Sequence, residues 1–405
     1  MVASQPSRQN PNTTQLQKAG SEMIARHIFD SDHDVFRDAV HKFLMDEAYE
    51  QHADWEKEGQ IDRNFWYKAG EQGMLCPGVS EEYGGVGADF RYNMVIAEEV
   101  SRLGLTGIGF SLHNDVTTPY LTNVANEAQK QKFLPRCVSG DCIVAIAMTE
   151  PGTGSDLQGI KTSAVDKGDH YLLNGSKTFI TCGQQADIVL VVCRTNSDPS
   201  AGAKAFSILI VEDGMPGFER GRNLDKLGQK AQDTSELFFN DVKVPKENLL
   251  GEEGMGFIYL MRELPQERLS IAVSAMASCE AVIEQTVNYV KERKAFGKSI
   301  AEFQNTQFTL AQLQAEVTCM RVFIDRCAEL LLEKELTTVD ASKAKLLATE
   351  LQGKVTDQCL QLHGGYGYMW EYPITRAYAD ARIQRIYGGT SEVMKLIIGR
   401  DLLSD

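Results

Sequence analysis

The sequence predicts an N-terminal helical domain, a middle, mostly antiparallel β domain and a C-terminal helical bundle. Three observations carry that reading. Near the start, Phe36, Val40, Phe43 and Leu44 recur at helical spacing in HDVFRDAVHKFL. Later the character changes to short β-branched runs, DIVLVVCR and AFSILIVED, divided by turns such as LNGSK with no helix of crossover length between them. After PKENLLGEEGMG the helical period returns, and Leu310, Leu313, Val317, Met320, Ile324, Cys327 and Leu331 repeat at steps of three and four.

In chain order, residues 1–30 read as a flexible, polar N-terminal arm, without the apolar stretch of a signal peptide. Residues 31–140 form the first helical domain. It is interrupted by the turn-rich PGVSEEYGGVGAD and closed by a surface helix, NEAQKQKFLPRCVSG, that stops near Gly140. Residues 141–245 form the β domain and 246–405 the bundle, where a second stripe joins Leu347, Leu351, Val355, Cys359 and Leu362. Those stripes sustain few heptads, which favours a packed bundle over a coiled coil. No G-x-G-x-x-G follows a strand and the β region lacks βαβ rhythm, which disfavours a doubly wound dinucleotide fold.

Composition removes several classes of function. A formal net charge of -15 over 405 residues offers no basic field for nucleic acid. Nine cysteines without a C-x-x-C pair read as reduced, mostly buried thiols of a soluble intracellular protein. No segment has the apolar length of a membrane span, so no integral membrane association is expected. The seven histidines form no H-x-x-H or H-x-x-x-H pair, so no metal is expected, and His363 reads as structural.

Four stretches carry candidate chemistry. In AMTEPGTGSDLQG, Gly152 and Gly154 let backbone approach a ligand while Thr149 and Ser155 offer hydrogen bonds and Glu150 and Asp156 organise the loop; an ordinary glycine turn has the same composition. In KERKAFGKSI, Arg293, Lys294 and Lys298 make a basic island beside Phe296, able to clamp a pyrophosphate or simply to end a helix in solvent. In QLHGGYGYMWEYP the glycines permit close backbone approach or end a helix. In LMRELPQERLSIA, helical geometry places Glu267 beside the apolar face of Leu264 and Ile271. Burial there would raise its proton affinity toward neutral pH and suit it as a general base, with Arg268 opposing the shift; the alternative is a surface Glu-Arg pair on a bent helix. Paired carboxylates of glycosidase type cannot be established, and the G-x-S-x-G elbow is missing.

These loops and the helix-β-helix order together resemble the acyl-CoA dehydrogenase family, over roughly residues 30–403 and nearest to its long-chain members. AMTEPGTGSDLQG resembles the family's first flavin-site signature and QLHGGYGYMWEYPITRAYAD its second, with DKLGQKAQDTSELFFNDVKVP, ERKAFGKSI and IYGGTSE in support. The resemblance implies FAD as cofactor. It puts Thr149 and Ser155 at the flavin, with Ser155 also on the substrate side, and Phe179 and Thr181 at the ring edge. Arg293, Phe296, Gln361, Gly364 and Gly365 would approach FAD bound largely to a neighbouring subunit, in a homotetramer, and the cofactor's tail would pass Gly389, Thr390 and Glu392. Gly109, in GLTGIGFSLHND, falls in the region that lines the acyl pocket; Gly107, Gly109 and Ser111 supply little bulk, which favours a deeper cavity or close helix packing. Arg268 and Tyr387 fall on the substrate side.

Many relatives place the catalytic glutamate directly after the tyrosine of IY-acid-GT, where this sequence has Gly388. A subset including long-chain and isovaleryl enzymes places it on the helix that LPQERL occupies here, at Glu267. The implied reaction is α,β-dehydrogenation of a medium- to long-chain acyl-CoA, with Glu267 as base and the Gly388 amide at the thioester oxygen. Electrons would pass to an electron-transferring flavoprotein, in a bacterial cytoplasm or a mitochondrial matrix. The alternatives are a branched- or short-chain enzyme, an oxidase that uses oxygen, and a catalytically silent FAD-binding scaffold.

Overall fold

The computed structural model describes residues 24–404, so residues 1–23 of the expected arm lie outside the described residues. The rest of that arm is not free. Ile28 is buried in the core of the bundle, and Arg26 donates to Asp325 at 2.8 and 2.7 Å and to Glu98 at 3.1 Å. The stretch is docked because Ile28 and Phe29 pack on the core and Arg26 meets two carboxylates supplied by distant helices.

Helix α1 (Ser31–Glu47) starts at a capping box on Asp30. It is followed by α2 (His52–Glu58), α3 (Arg63–Glu71) and α4 (Phe90–Arg102). A single π-helical turn, Leu112–Thr117, leads into α5 (Thr118–Val124). Helix α6 (Glu127–Ser139) is capped by Asn126 and stopped by Gly140 at φ 79°.

The β domain is one seven-stranded sheet built from β1 (Val144–Ala147), β2 (Ser163–Asp166), β3 (His170–Thr181), β4 (Ile188–Arg194), β5 (Phe206–Glu212), β6 (Phe218–Asn223) and β7 (Thr234–Pro245). Its order is β1-β4-β2-β3-β7-β6, with β5 also paired to β4. The pairings β2–β3, β3–β7, β4–β5 and β6–β7 are antiparallel, whereas β1–β4 and β2–β4 are parallel. The mainly antiparallel expectation therefore needs those two exceptions. Strand β4 explains why its run is apolar at every position. Ile188, Leu190 and Val192 pack toward the N-terminal helices, while Val189, Val191 and Cys193 pack into a second core on the other face.

The bundle is built on α7 (Gly256–Glu292), a 37-residue helix that runs through Pro265, with α8 (Gln304–Leu332), α9 (Thr338–His363), α10 (Pro373–Ala381) and α11 (Ser391–Leu402) around it. The α8 stripe is buried at Leu313, Val317, Met320, Ile324 and Cys327. The α9 stripe is corrected. Leu347 is 52% exposed, and the buried face runs through Ala341, Ala344, Lys345, Ala348, Gln352, Val355 and Cys359. Small residues on that face let α9 lie close against α7, so burial here follows side-chain size more than hydrophobicity. All nine cysteines are free, and only Cys319 is exposed. Among the described residues no helix is long and apolar enough to cross a membrane.

Candidate active site

Two acidic residues one turn apart on α7, Glu263 and Glu267, are both buried. They are treated differently by the segment that runs antiparallel to them. Asn123 donates to Glu263 Oε2 at 3.0 Å and Arg262 to its Oε1 at 2.9 Å, which engages both oxygens. Tyr120, on the same face of α5, donates its hydroxyl to Glu267 Oε1 at 2.9 Å. Among the described residues no donor reaches Glu267 Oε2. Burial pushes the Glu267 carboxyl up to about 7, against the pull of the Tyr120 hydroxyl, with Glu263 adding a push upward and Arg268 a weaker pull down.

The π-helical turn fixes the register of this contact. Asp115 accepts from Asn93 at 2.6 Å and from Ser270, and its carbonyl accepts from Gln266 at 3.0 Å. Asp115, Tyr120 and Asn123 thus meet Ser270, Glu267 and Glu263 in reverse order along α7. Burial raises Asp115 to about 6.

The loop after Tyr387 lies against the other side of this turn of α7. Gly388 and Gly389 both take positive φ, 64° and 98°. Arg268 Nε donates to the Gly388 carbonyl at 3.3 Å and another of its nitrogens to Ser342 at 3.2 Å. Arg268, expected on the substrate side, is turned by these bonds toward the loop. Lys345 Nζ, from α9, donates to the Gly389 carbonyl at 2.6 Å, and burial lowers it to about 8, with Arg268 adding repulsion. With both carbonyls tied back to cations, the Gly388 amide has no acceptor among the described residues. Tyr387 donates to Gln384 at 2.9 Å, Thr390 caps α11, and Glu392 is exposed in that helix's first turn.

Glycine is favoured at 388 by its backbone, and a side chain there would also displace the tip of Ile271. The backbone at 388 is left-handed, and an added Cβ would sit 2.6 Å from Ile271 Cδ1. Gly388→Ala is therefore expected to cost about 1–2 kcal/mol in chemical denaturation; an unchanged midpoint would show that the loop is not held as described.

A second group lies on the β domain. Thr149 is half-buried, and its carbonyl accepts from the Thr178 amide at 2.9 Å. Beneath it Glu150 binds Lys177 Nζ at 2.9 Å and the amides of Lys161 and Thr162 at 2.8 and 2.9 Å, while Lys177 also donates to the Met148 carbonyl at 2.9 Å. Ser155 is exposed on the same loop. The β3–β7 pairing slips between Lys177 and Ile180, and in that irregularity Phe179 is held at φ 59° with 67% exposure, two residues before the sheet position of Thr181. An exposed aromatic ring in a left-handed conformation is a costly arrangement to keep for packing alone.

A third group gathers at the far end of α7. Arg293, Gln361, Gly364 and Gly365 line a cleft of about 530 Å³ together with Tyr289 and Tyr366. An added Cβ at Gly364 or Gly365 would meet nothing within 4 Å. Phe296 lies outside that lining, at the tip of the hairpin formed by Lys294–Ala295 and Lys298–Ser299, 95% exposed at φ 52°. Gly109 is not at an open cavity. A Cβ there would meet Cys182 Sγ at 2.9 Å and the Trp66 ring at 3.2 Å, and one at Gly107 would meet the Gln232 amide at 2.7 Å. Their missing side chains make room for protein, which corrects the deeper-pocket expectation at these positions.

The three stretches of the chain match, in order, the models of the acyl-CoA dehydrogenase N-terminal domain over residues 30–141, the middle domain over 145–242 and the C-terminal domain over 254–403. The mitochondrial long-chain specific acyl-CoA dehydrogenase of Mus musculus is 52% identical over 380 residues, covering 94% of this chain and 88% of the relative.

The chain belongs to the acyl-CoA dehydrogenase family.

Among solved structures, the acyl-CoA dehydrogenase of Geobacillus kaustophilus superposes with a TM-score of 0.92 at 50% identity, over 94% of this chain and 100% of the other. An acyl-CoA dehydrogenase from Bacillus anthracis complexed with FAD gives 0.87 at 32% identity, over 94% of this chain and 69% of that one. The fold described above, helices, β sheet and helical bundle, is the fold of this family of enzymes.

Sequence reasoning had no reason to choose Tyr120, Asp115, Lys177 or Lys345. Lys345 did leave a trace: it lies between Ala344 and Ala348 on what reads as a small-residue face, an expensive place for a lysine without a purpose. Tyr120 left none, because its partner is 147 residues away.

Proposed function

We propose that this protein catalyses FAD-dependent α,β-dehydrogenation of medium- to long-chain acyl-CoA thioesters to trans-2-enoyl-CoA, with an electron-transferring flavoprotein as acceptor. The carrying observation is Glu267: a buried carboxyl near pKa 7 with one oxygen held and the other undonated, tied through neighbouring Arg268 to the Gly388 loop. FAD, when bound, supplies the acceptor for the hydride that leaves the β carbon. Glu267 removes the α proton, and the Gly388 amide donates to the thioester oxygen as enolate charge develops there.

The residues present fit FAD. Thr149, Ser155, Phe179 and Thr181 offer backbone, hydroxyls and an exposed ring to a flat group, and the open glycines 364 and 365 leave room beside Arg293, which has no carboxylate partner among the described residues. In our reading the two groups meet across subunits of a homotetramer. Phe296, Gln361, Gly389, Thr390 and Glu392 would flank the cofactor from the neighbouring chain or along its tail. Arg293→Ala is then expected to lower FAD occupancy on dilution, read as the flavin-to-protein absorbance ratio; unchanged occupancy would count against this division of the site.

The 52% identity to a long-chain enzyme supports the chain-length preference. A panel of acyl-CoA lengths scored by flavin bleaching tests it, and a maximum at four or five carbons would move the assignment to the short- or branched-chain enzymes. Reduced enzyme offered oxygen or electron-transferring flavoprotein separates the dehydrogenase from an oxidase, since rapid turnover with oxygen alone marks the latter. The pH dependence follows from Glu267. A base must be unprotonated to act, so the second-order rate of flavin reduction should fall about tenfold per pH unit below about 7 and level off above it. A flat profile from pH 5.5 to 8 would be inconsistent with a base of this pKa.

A further inference from the structure

The reaction needs one glutamate oxygen aimed at a carbon acid, and a glutamate side chain has three rotatable bonds by which to miss it. Resting on the assignment of Glu267 as base, we propose that Tyr120 is a positioning residue for this reaction: its hydroxyl holds Oε1 of Glu267 so that Oε2 is presented to the substrate's α carbon.

The geometry around the pair supports this. Tyr120 is fully buried, and its ring is fixed in α5 next to Pro119. The helix carrying it is registered on α7 from both ends, by Asp115 on Ser270 and Gln266 and by Asn123 on Glu263. A hydroxyl on such a mount selects one rotamer of Glu267. Glu263 is the internal comparison: it is held on both oxygens and has none to offer. The Tyr120 bond also favours the charged form of Glu267, because a phenol donates better to a carboxylate than to a carboxylic acid. Tyr120 is itself held far above its ordinary range by burial and by Glu267, so it stays a donor throughout the working pH range and does not act as the base.

A Tyr120 substitution removes none of the other charged groups around Glu267, among them Arg262, which is bonded to Glu263. Glu263 and Arg268 belong to the helix of Glu267 itself, Asp115 binds one turn further on at Ser270, and Lys345 from α9 stands behind Arg268 at the Gly389 carbonyl.

The experiment is anaerobic reduction of the holoenzyme's flavin by acyl-CoA between pH 5.5 and 9, for wild type and Tyr120→Phe. Loss of the hydroxyl should move the rising limb of the rate about one pH unit to alkaline. On the plateau it should lower the reduction rate roughly tenfold by loosening the carboxylate, with a smaller change in acyl-CoA affinity. A purely structural tyrosine would lower stability and leave the limb in place, and a limb within about 0.2 unit of wild type overturns the proposal. Should the phenylalanine variant fail to fold, 3-fluorotyrosine placed at position 120 keeps ring and hydroxyl but donates more strongly. It should move the limb toward acid; no movement, or movement to alkaline, overturns the proposal equally. Flavin bleaching that survives Glu267→Gln would instead sink the base assignment, so the two failures are distinguishable.

Discussion

Lys177→Met should destabilise the β domain by about 3 kcal/mol and loosen FAD in the same step. Lys177 is fully buried beneath the loop that carries Thr149, and it bridges Glu150 to the Met148 carbonyl. Burial lowers its own proton affinity, while Glu150 pulls the other way. Glu150 is held below its usual range despite its burial, by hydrogen bonds from Thr162 and Lys161 and by the Lys177 charge. Methionine fills the volume but leaves the Glu150 carboxylate without a counter-charge, and breaking one side of a buried pair is the costly case. Because the Thr149 carbonyl hangs between this pair and the Thr178 amide, the loop we propose to face the flavin should lose its order too. A drop in the thermal midpoint of roughly 5 °C or more, with faster FAD release, is expected. Adding Glu150→Gln should recover part of the loss, since the stranded charge then goes. A single variant within about 0.5 kcal/mol of wild type would mean that the pair does not hold the loop.

The ease of reading this fold from its sequence differs by element, for physical reasons. The helix-sheet-helix order follows from periodicity: α8 shows its stripe because large apolar residues face the core, and β4 is apolar throughout because both of its faces are covered. Helix α9 misleads in its first half, where the buried face is made of small residues and a lysine while the leucine at 347 is exposed; Val355 and Cys359 of the expected stripe are buried. Gly107 and Gly109 carry no mark that says whether the space they leave is taken by ligand or by protein, and Trp66, Cys182 and Gln232 take it. The short segment 24–30 reads as part of the polar arm yet is docked, since Ile28 and Phe29 pack on the core and its arginine is matched by carboxylates at Glu98 and Asp325. At the site, the acid beside an apolar helical face marks Glu267 as a candidate, its burial distinguishes it from a surface pair, and its role as base rests on the family resemblance. The residues that tune it, Tyr120, Asp115 and Lys345, come from elements that only tertiary packing brings to α7, and no spacing rule connects them.

Glu267→Gln should leave the fold, FAD and acyl-CoA binding largely intact, because the amide oxygen can still accept from Tyr120 and the volume is unchanged. The substitution should even help stability near neutral pH. The folded-state pKa of Glu267 lies at about 7 and its ordinary value at 4.5, so as pH rises through that window the unfolded chain gives up the proton first. Wild type thereby loses stability between about pH 4.5 and 7, on the order of 3 kcal/mol, that the glutamine variant keeps. Catalysis should respond in the opposite direction, since the neighbouring buried carboxylate, Glu263, has both oxygens engaged and cannot stand in as the base. Anaerobic stopped-flow mixing of the FAD-loaded variant with a long-chain acyl-CoA reads this most directly, through the bleaching of oxidised flavin. The expected result is a rate at least roughly 10³-fold below wild type with the substrate still bound; bleaching within a factor of a few of wild type would contradict the assignment of Glu267 as the base.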